Sequence, residues 1–155
     1  MKNILYTLFI IHSVLFAQKP QFEQMAFDYF LNNTLSENYS ESGKLYFEGC
    51  TESTVSITGL FMDCFESEKM FKELYSQYSS VESDKLPLDS RDKLTTTKHV
   101  KKKGLNVEVY RAIVTDSSSY VYLSVYKVNH FVDHYLFEID SSETVSEYCK
   151  QSEII

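Results

Sequence analysis

Between Leu105 and Ile155 the chain reads as four strand-length segments in succession: LNVEVYRAIV, YVYLSVYKVN, HYLFEI and TVSEYCKQSEII. Each is rich in Val, Ile, Tyr and Phe and is bounded by short runs of Ser, Asp, Asn and Glu, the composition of strands punctuated by turns. Breaks this short permit only antiparallel neighbours, because a parallel return needs a crossover of a dozen or more residues. The last third of the chain is therefore committed to an antiparallel meander, and what precedes it has to cover a sheet.

Register follows from the turns. A turn over Asp116-Ser117-Ser118-Ser119 sets Glu108 opposite Lys127, Val109 opposite Tyr126 and Ile113 opposite Tyr122. It also makes an opposite-charge cross-strand pair. A turn from Asp140 to Glu143 sets Ile139 opposite Val145 and Leu136 opposite Tyr148. Alternation then gives one face bearing Val107, Val109, Arg111, Ile113, Tyr122, Ser124, Tyr126, Tyr135, Phe137, Ile139 and Glu147. The other bears Tyr110, Ala112, Val114, Val121, Leu123, Val125, Leu136 and Tyr148. A sheet with one wet side shows one polar face, and here neither is polar. Both faces are expected to be covered by the rest of the chain, by a curled hollow or by a partner.

Upstream, Met1 to Ala17 has the form of a secretory leader: a positive start at Lys2, an apolar stretch from Ile4 to Phe16 and a small residue at Ala17. The apolar stretch falls short of the roughly 20 residues of a membrane span. The remainder, 18–155, is of a size for one domain with its own core. Phe22, Met25, Ala26, Tyr29 and Phe30 recur at helical spacing, and Asn32 and Asn33, with the run of Ser, Glu and Asn that follows, are expected to end that helix before Gly43. Lys44–Cys50 and Thr54–Phe61 are strand-like and predict a hairpin across Thr51-Glu52-Ser53. Met70, Phe71, Leu74, Tyr75 and Tyr78 predict a second amphipathic helix capped by Ser67. The segment 79–104 is a polar insertion with an edge strand from Leu94. It ends in the basic run Lys98-His99-Val100-Lys101-Lys102-Lys103, which suits a charged edge that resists sheet-to-sheet association or a patch for an acidic partner.

The formal charge of −7, one unit more negative without Lys2, argues against nucleic acid, whose phosphates call for clustered Lys and Arg. It argues equally against anionic membrane surfaces. An exported location makes a disulfide feasible among Cys50, Cys64 and Cys149, with three pairings open.

Helix, hairpin, helix and then a meander closing with HYLFEIDSSETVSEYCKQSEII resembles the α+β roll of nuclear transport factor-like and SnoaL-like domains. The resemblance spans most of Phe22 to Ile155 and rests on element order; the long insertion at 79–104 and the lack of a second N-terminal helix depart from the pattern. It implies a conical pocket between a curved sheet and its helices, used in that family for catalysis, for ligand binding or for neither.

The fold class expected is thus α+β, with two amphipathic helices and a hairpin packed on a curved four-stranded antiparallel sheet. If the tyrosine-rich face lines a pocket, Arg111 and Glu147 are its polar fixtures and Tyr122, Tyr126 and Tyr135 surround them, the make-up of a small-ligand site. His130, Asp133 and His134 are the nearest approach to an acid–base or metal cluster, with Asp133 and His134 the candidate catalytic pair. His130 and His134 would converge on a metal only on a helix, so no metal and no cofactor is expected. The readings left open are a non-catalytic domain binding a small molecule or a protein, a small hydrolase or isomerase using the histidine–carboxylate pair, and a structural or homodimer-forming envelope protein.

Overall fold

The computed structural model describes residues 21–40, 44–53, 61, 64, 72, 74–77, 84–89 and 94–154. The leader expected at 1–17 lies outside them, as do most of the second expected helix and the strand at 54–60. Residues 72 and 74–77 are helical.

The N-terminal helix is one continuous rod. An α-helix, α1 (Gln21–Tyr29), passes through a π-helical turn, Phe30–Thr34, into a short α2 (Leu35–Asn38). The helix ends before Gly43 as expected, but at Asn38 and not at Asn32-Asn33: the Asn33 side chain donates to the Tyr29 carbonyl and Asn38 to that of Thr34, so the amides serve the helix. The buried stripe is Glu23, Ala26, Phe27, Phe30, Leu31 and Thr34, rotated from the one the apolar residues suggested. Its anchor, Phe27, was missed because the stripe begins on a carboxylate. Glu23 is accommodated by the Arg111 guanidinium at 3.2 Å and by the Ala112 N–H at 3.0 Å, which is what makes an acid tolerable there.

Among the described residues seven strands form one open mixed sheet: β1 (Leu45–Phe47), β2 (Leu94–Thr96), β3 (Leu105–Val109), β4 (Ile113–Val114), β5 (Ser119–Lys127), β6 (Phe131–Ile139) and β7 (Val145–Ile154). The order is β2-β1-β3-β5-β6-β7, with β4 extending the β3 side of β5. The C-terminal meander is antiparallel as expected. The expected hairpin is replaced by something different: β1 lies between β2 and β3 and is parallel to both. The loop after β1 instead runs beside Tyr110, with Glu52 N–H donating to the Val109 carbonyl and Arg111 N–H to that of Glu52.

The register of the meander differs from the expected one. Ile113 pairs with Tyr120 rather than Tyr122, an even shift that preserves the face. Between β4 and β3, however, the chain gains a residue at Tyr110–Ala112, so Val109 meets Leu123 and Glu108 meets Ser124. The expected Glu108–Lys127 pair does not form. At the next hairpin the turn is Val128-Asn129-His130, with Asn129 in the left-handed region. Lys127 therefore faces Phe131, and Tyr122 shares its face with Leu136 rather than Tyr135. Between β6 and β7 Ile139 does meet Val145, but a bulge at Glu138/Ile139 puts Leu136 opposite Cys149 instead of Tyr148. A one-residue bulge moves every later side chain to the other face.

Both faces are covered. On one, Phe27, Phe30 and Leu31 of the helix pack against Phe47, Val109, Val121, Leu123, Val125, Tyr135 and Phe137, each at most 1% exposed. The hollow implied by the family resemblance is filled there by interlocking rings, with Phe27 4.7 Å from Phe47 and Phe30 5.6 Å from Tyr135. On the other, Phe61 and Leu74 close over Ile113, Tyr120, Tyr122 and Leu136. A disulfide, Cys64–Cys149, ties that cover to β7, and Cys50 is a free thiol.

Candidate functional site

Corrected register divides the residues expected to share one pocket. Arg111 sits at the bulge, nearly buried, bracing Glu23 and donating through Nη1 to the Asp84 carbonyl at 3.1 Å. Tyr135 is wholly buried on the helix side, while Tyr122 and Tyr126 lie on the opposite side with Glu108 and His134. Glu147 is on β7, far along the sheet order from Arg111. Arg111 and Glu147 are therefore not brought together as the polar fixtures of one pocket: Glu147 faces Glu138 across the β6–β7 pair.

Asp133 and His134 do not make a pair. They are consecutive in β6 rather than at a turn, so their side chains leave on opposite faces. Asp133, on the helix side, receives the Tyr39 hydroxyl at 2.5 Å and the Lys150 ammonium at 3.1 Å, while Tyr39 contacts the Tyr135 hydroxyl at 2.9 Å. Burial pushes the Asp133 carboxyl up, but hydrogen bonds from Ser152, Tyr39 and Lys150 outweigh it and hold the group below the usual carboxylate range. Burial opposes the charge on Lys150, and the Asp133 hydrogen bond more than offsets it, so Lys150 titrates above its ordinary value. The Lys150 ammonium also lies 5.7 Å from the Tyr39 ring and 5.6 Å from that of Tyr135. This closed cluster fastens β6, β7 and the end of the helix together.

Across the sheet, the Glu108 carboxylate accepts from Tyr110 at 2.7 Å, Tyr126 at 2.8 Å and Ser124 at 3.3 Å. The Tyr122 ring stacks on Tyr110 at 4.5 Å, and its hydroxyl meets His134 Nδ1 at 2.6 Å. Burial first, and then the Glu108 charge, raise the titration of Tyr110, Tyr122 and Tyr126 well above the ordinary phenol value. Tyr110 and Tyr126 donate to the Glu108 carboxylate. A cleft of about 70 Å3 opens beside them between Glu48, Glu52, His99, Asn106, Glu108 and Tyr126, large enough for a few atoms only. Lys85 spans Glu48 and Glu52 at 3.2 and 2.8 Å. Among the described residues no group of three or more His, Cys, Asp and Glu is placed to hold a metal.

A larger opening lies at the other end of the sheet. A groove of about 360 Å3 is bordered by Cys64, Tyr120, Leu136, Glu138, Glu147, Tyr148, Cys149 and Lys150. Its wall is β7, which has β6 on one side and no described strand on the other. All ten β7 residues are intermediate or exposed, in contrast to the buried run of β5. Of the sequence-derived candidates only Glu147 belongs to this feature. Its partner Glu138 was missed, and the only signal for it was an acid interrupting an otherwise apolar strand. No protein family, curated protein or solved structure matches this chain.

Proposed function

We propose that this is an exported, non-catalytic protein-interaction domain that captures an extended segment of a partner along β7. The observation that carries this reading is the pairing state of that strand: ten residues at a sheet border, with no described strand on the outer side. Unpaired edges recruit another strand through main-chain hydrogen bonds, and flanking pockets for alternate side chains supply selectivity. The groove beside Tyr148 and the disulfide is such a pocket. The opposite border is built differently. β2 has three residues and runs into Lys98 and Lys101 to Lys103, the features that blunt an edge. Export is supported by the leader-like composition of Met1 to Ala17 and by the Cys64–Cys149 bond.

Photo-crosslinking tests this. A photoreactive side chain in place of Ile154, which is 94% exposed, should capture a discrete partner from the extracellular fluid of the producing cell. The same group in place of Thr95 on β2 should not. Equal capture from both edges, or capture only from Thr95, contradicts the assignment.

A further inference from the structure

Resting on the β7 reading, we infer that the partner segment is basic, an extended stretch carrying Lys or Arg at alternate positions, one of them seated between Glu138 and Glu147. Glu138 and Glu147 are direct cross-strand neighbours, and like charges placed opposite one another destabilise a sheet. Among the described residues only hydroxyls answer this pair: Glu138 Oε1 accepts from Ser118 at 2.6 Å and from Tyr120 at 3.2 Å. Lys150 borders the groove, yet its ammonium is committed to Asp133 on the other side of the sheet. The two carboxylates therefore face the groove with no described cation between them.

Alternation extends the pattern. Glu147, Cys149, Gln151 and Glu153 occupy one side of β7, so an added strand would pass its own alternate side chains, about 7 Å apart, along a row that begins and ends with a carboxylate. Near the far end, His134 Nε2 is buried without a hydrogen-bond partner and lies 3.7 Å from the Glu153 carboxylate. A chain charge of −7 favours encounter with a basic segment. A second copy of this chain would instead bring an equally acidic strand to the same border.

Fluorescence anisotropy with three labelled, end-capped heptapeptides distinguishes the outcomes: alternating lysine and valine, the same with glutamate for lysine, and the lysine peptide with alternate amides N-methylated. We expect the lysine peptide to bind, the glutamate peptide to bind at least tenfold more weakly, and N-methylation to abolish binding. E138Q/E147Q should weaken the lysine peptide about fivefold, the scale of partly exposed ion pairs, and remove most of the salt dependence. If the glutamate peptide binds equally well and N-methylation still abolishes binding, strand addition stands and the basic-partner inference is overturned. If N-methylation has no effect, the attraction is non-specific and the β7 reading fails. If no peptide binds while light scattering shows a dimer that β7 substitutions dissociate, the occupant is a second copy; if no peptide binds and the chain is monomeric, both readings fail.

Discussion

Replacing Asp133 with Asn tests the closed cluster that fastens the exposed strand to the body of the protein. Asp133 is 6% exposed and is engaged by Tyr39, Lys150 and Ser152. Breaking a buried ion pair from one side costs about 3–5 kcal/mol. The Lys150 side chain keeps 30% of its surface in water and can turn outward, and Asn retains one acceptor for Tyr39, so we expect about 2–3 kcal/mol. The loss should depend on pH. Because Asp133 titrates below its ordinary value of about 3.9 in the folded state, its contribution is complete above that value and disappears as pH falls through the folded one. Lys150 titrates above its ordinary value of about 10.4, so the same pairing weakens only as pH rises past that point. Urea denaturation followed by far-ultraviolet circular dichroism, with the disulfide intact, should show the full gap between wild type and variant from about pH 5 to 9. As pH falls below about 3.9 the gap should shrink progressively, because Asp133 holds its proton less readily in the folded state than in the unfolded one. A difference under about 0.5 kcal/mol at pH 7, or the same difference at pH 2.5 as at pH 7, would refute the reasoning.

Three further outcomes follow from the packing. C64A/C149A removes a link closing 85 residues; loop entropy sets a ceiling near 4.5 kcal/mol, and we expect about 2–4, read as a fall in Tm that reductant reproduces in the wild type. Phe27→Ala, at a site with no exposed surface and a ring contact to Phe47, should cost about 3–5 kcal/mol by chemical denaturation, more than Phe22→Ala on the same helix. Gly104→Ala should destabilise by more than about 1 kcal/mol, since Gly104 has φ +104° and a Cβ there would lie 2.6 Å from the Lys44 carbonyl oxygen.

How far the sequence carried depends on the element. Composition and alternation sufficed for β5, β6 and β7 because each is long and set off by a polar turn, and even the edge strand at Leu94 was legible; the single strand expected over 105–114 is instead broken into β3 and β4. Sheet faces were not legible. They depend on single added residues at Tyr110–Ala112 and at Glu138/Ile139, and nothing in those stretches announces a bulge. The parallel placement of β1 was also hidden, since its partners β2 and β3 lie far away in sequence and a local reading favours a hairpin. The candidate site suffered directly. Arg111 looked like a pocket fixture because it interrupts an apolar strand, but its use is to neutralise Glu23. Asp133 and His134 looked like a pair because they are neighbours in sequence, which within a strand is the arrangement that separates them. Glu147 was found by the same rule that missed Glu138, because only the register sets the two side by side.

Residue-resolved amide hydrogen exchange on the free protein tests the central claim most directly. If β7 is an open border, its amides should alternate, those facing β6 protected and those facing outward exchanging at rates close to an unstructured chain, while β5 is protected throughout. Uniform protection from Val145 to Ile154 would mean that the outer side of β7 is already paired, and the account of what this domain binds would be contradicted.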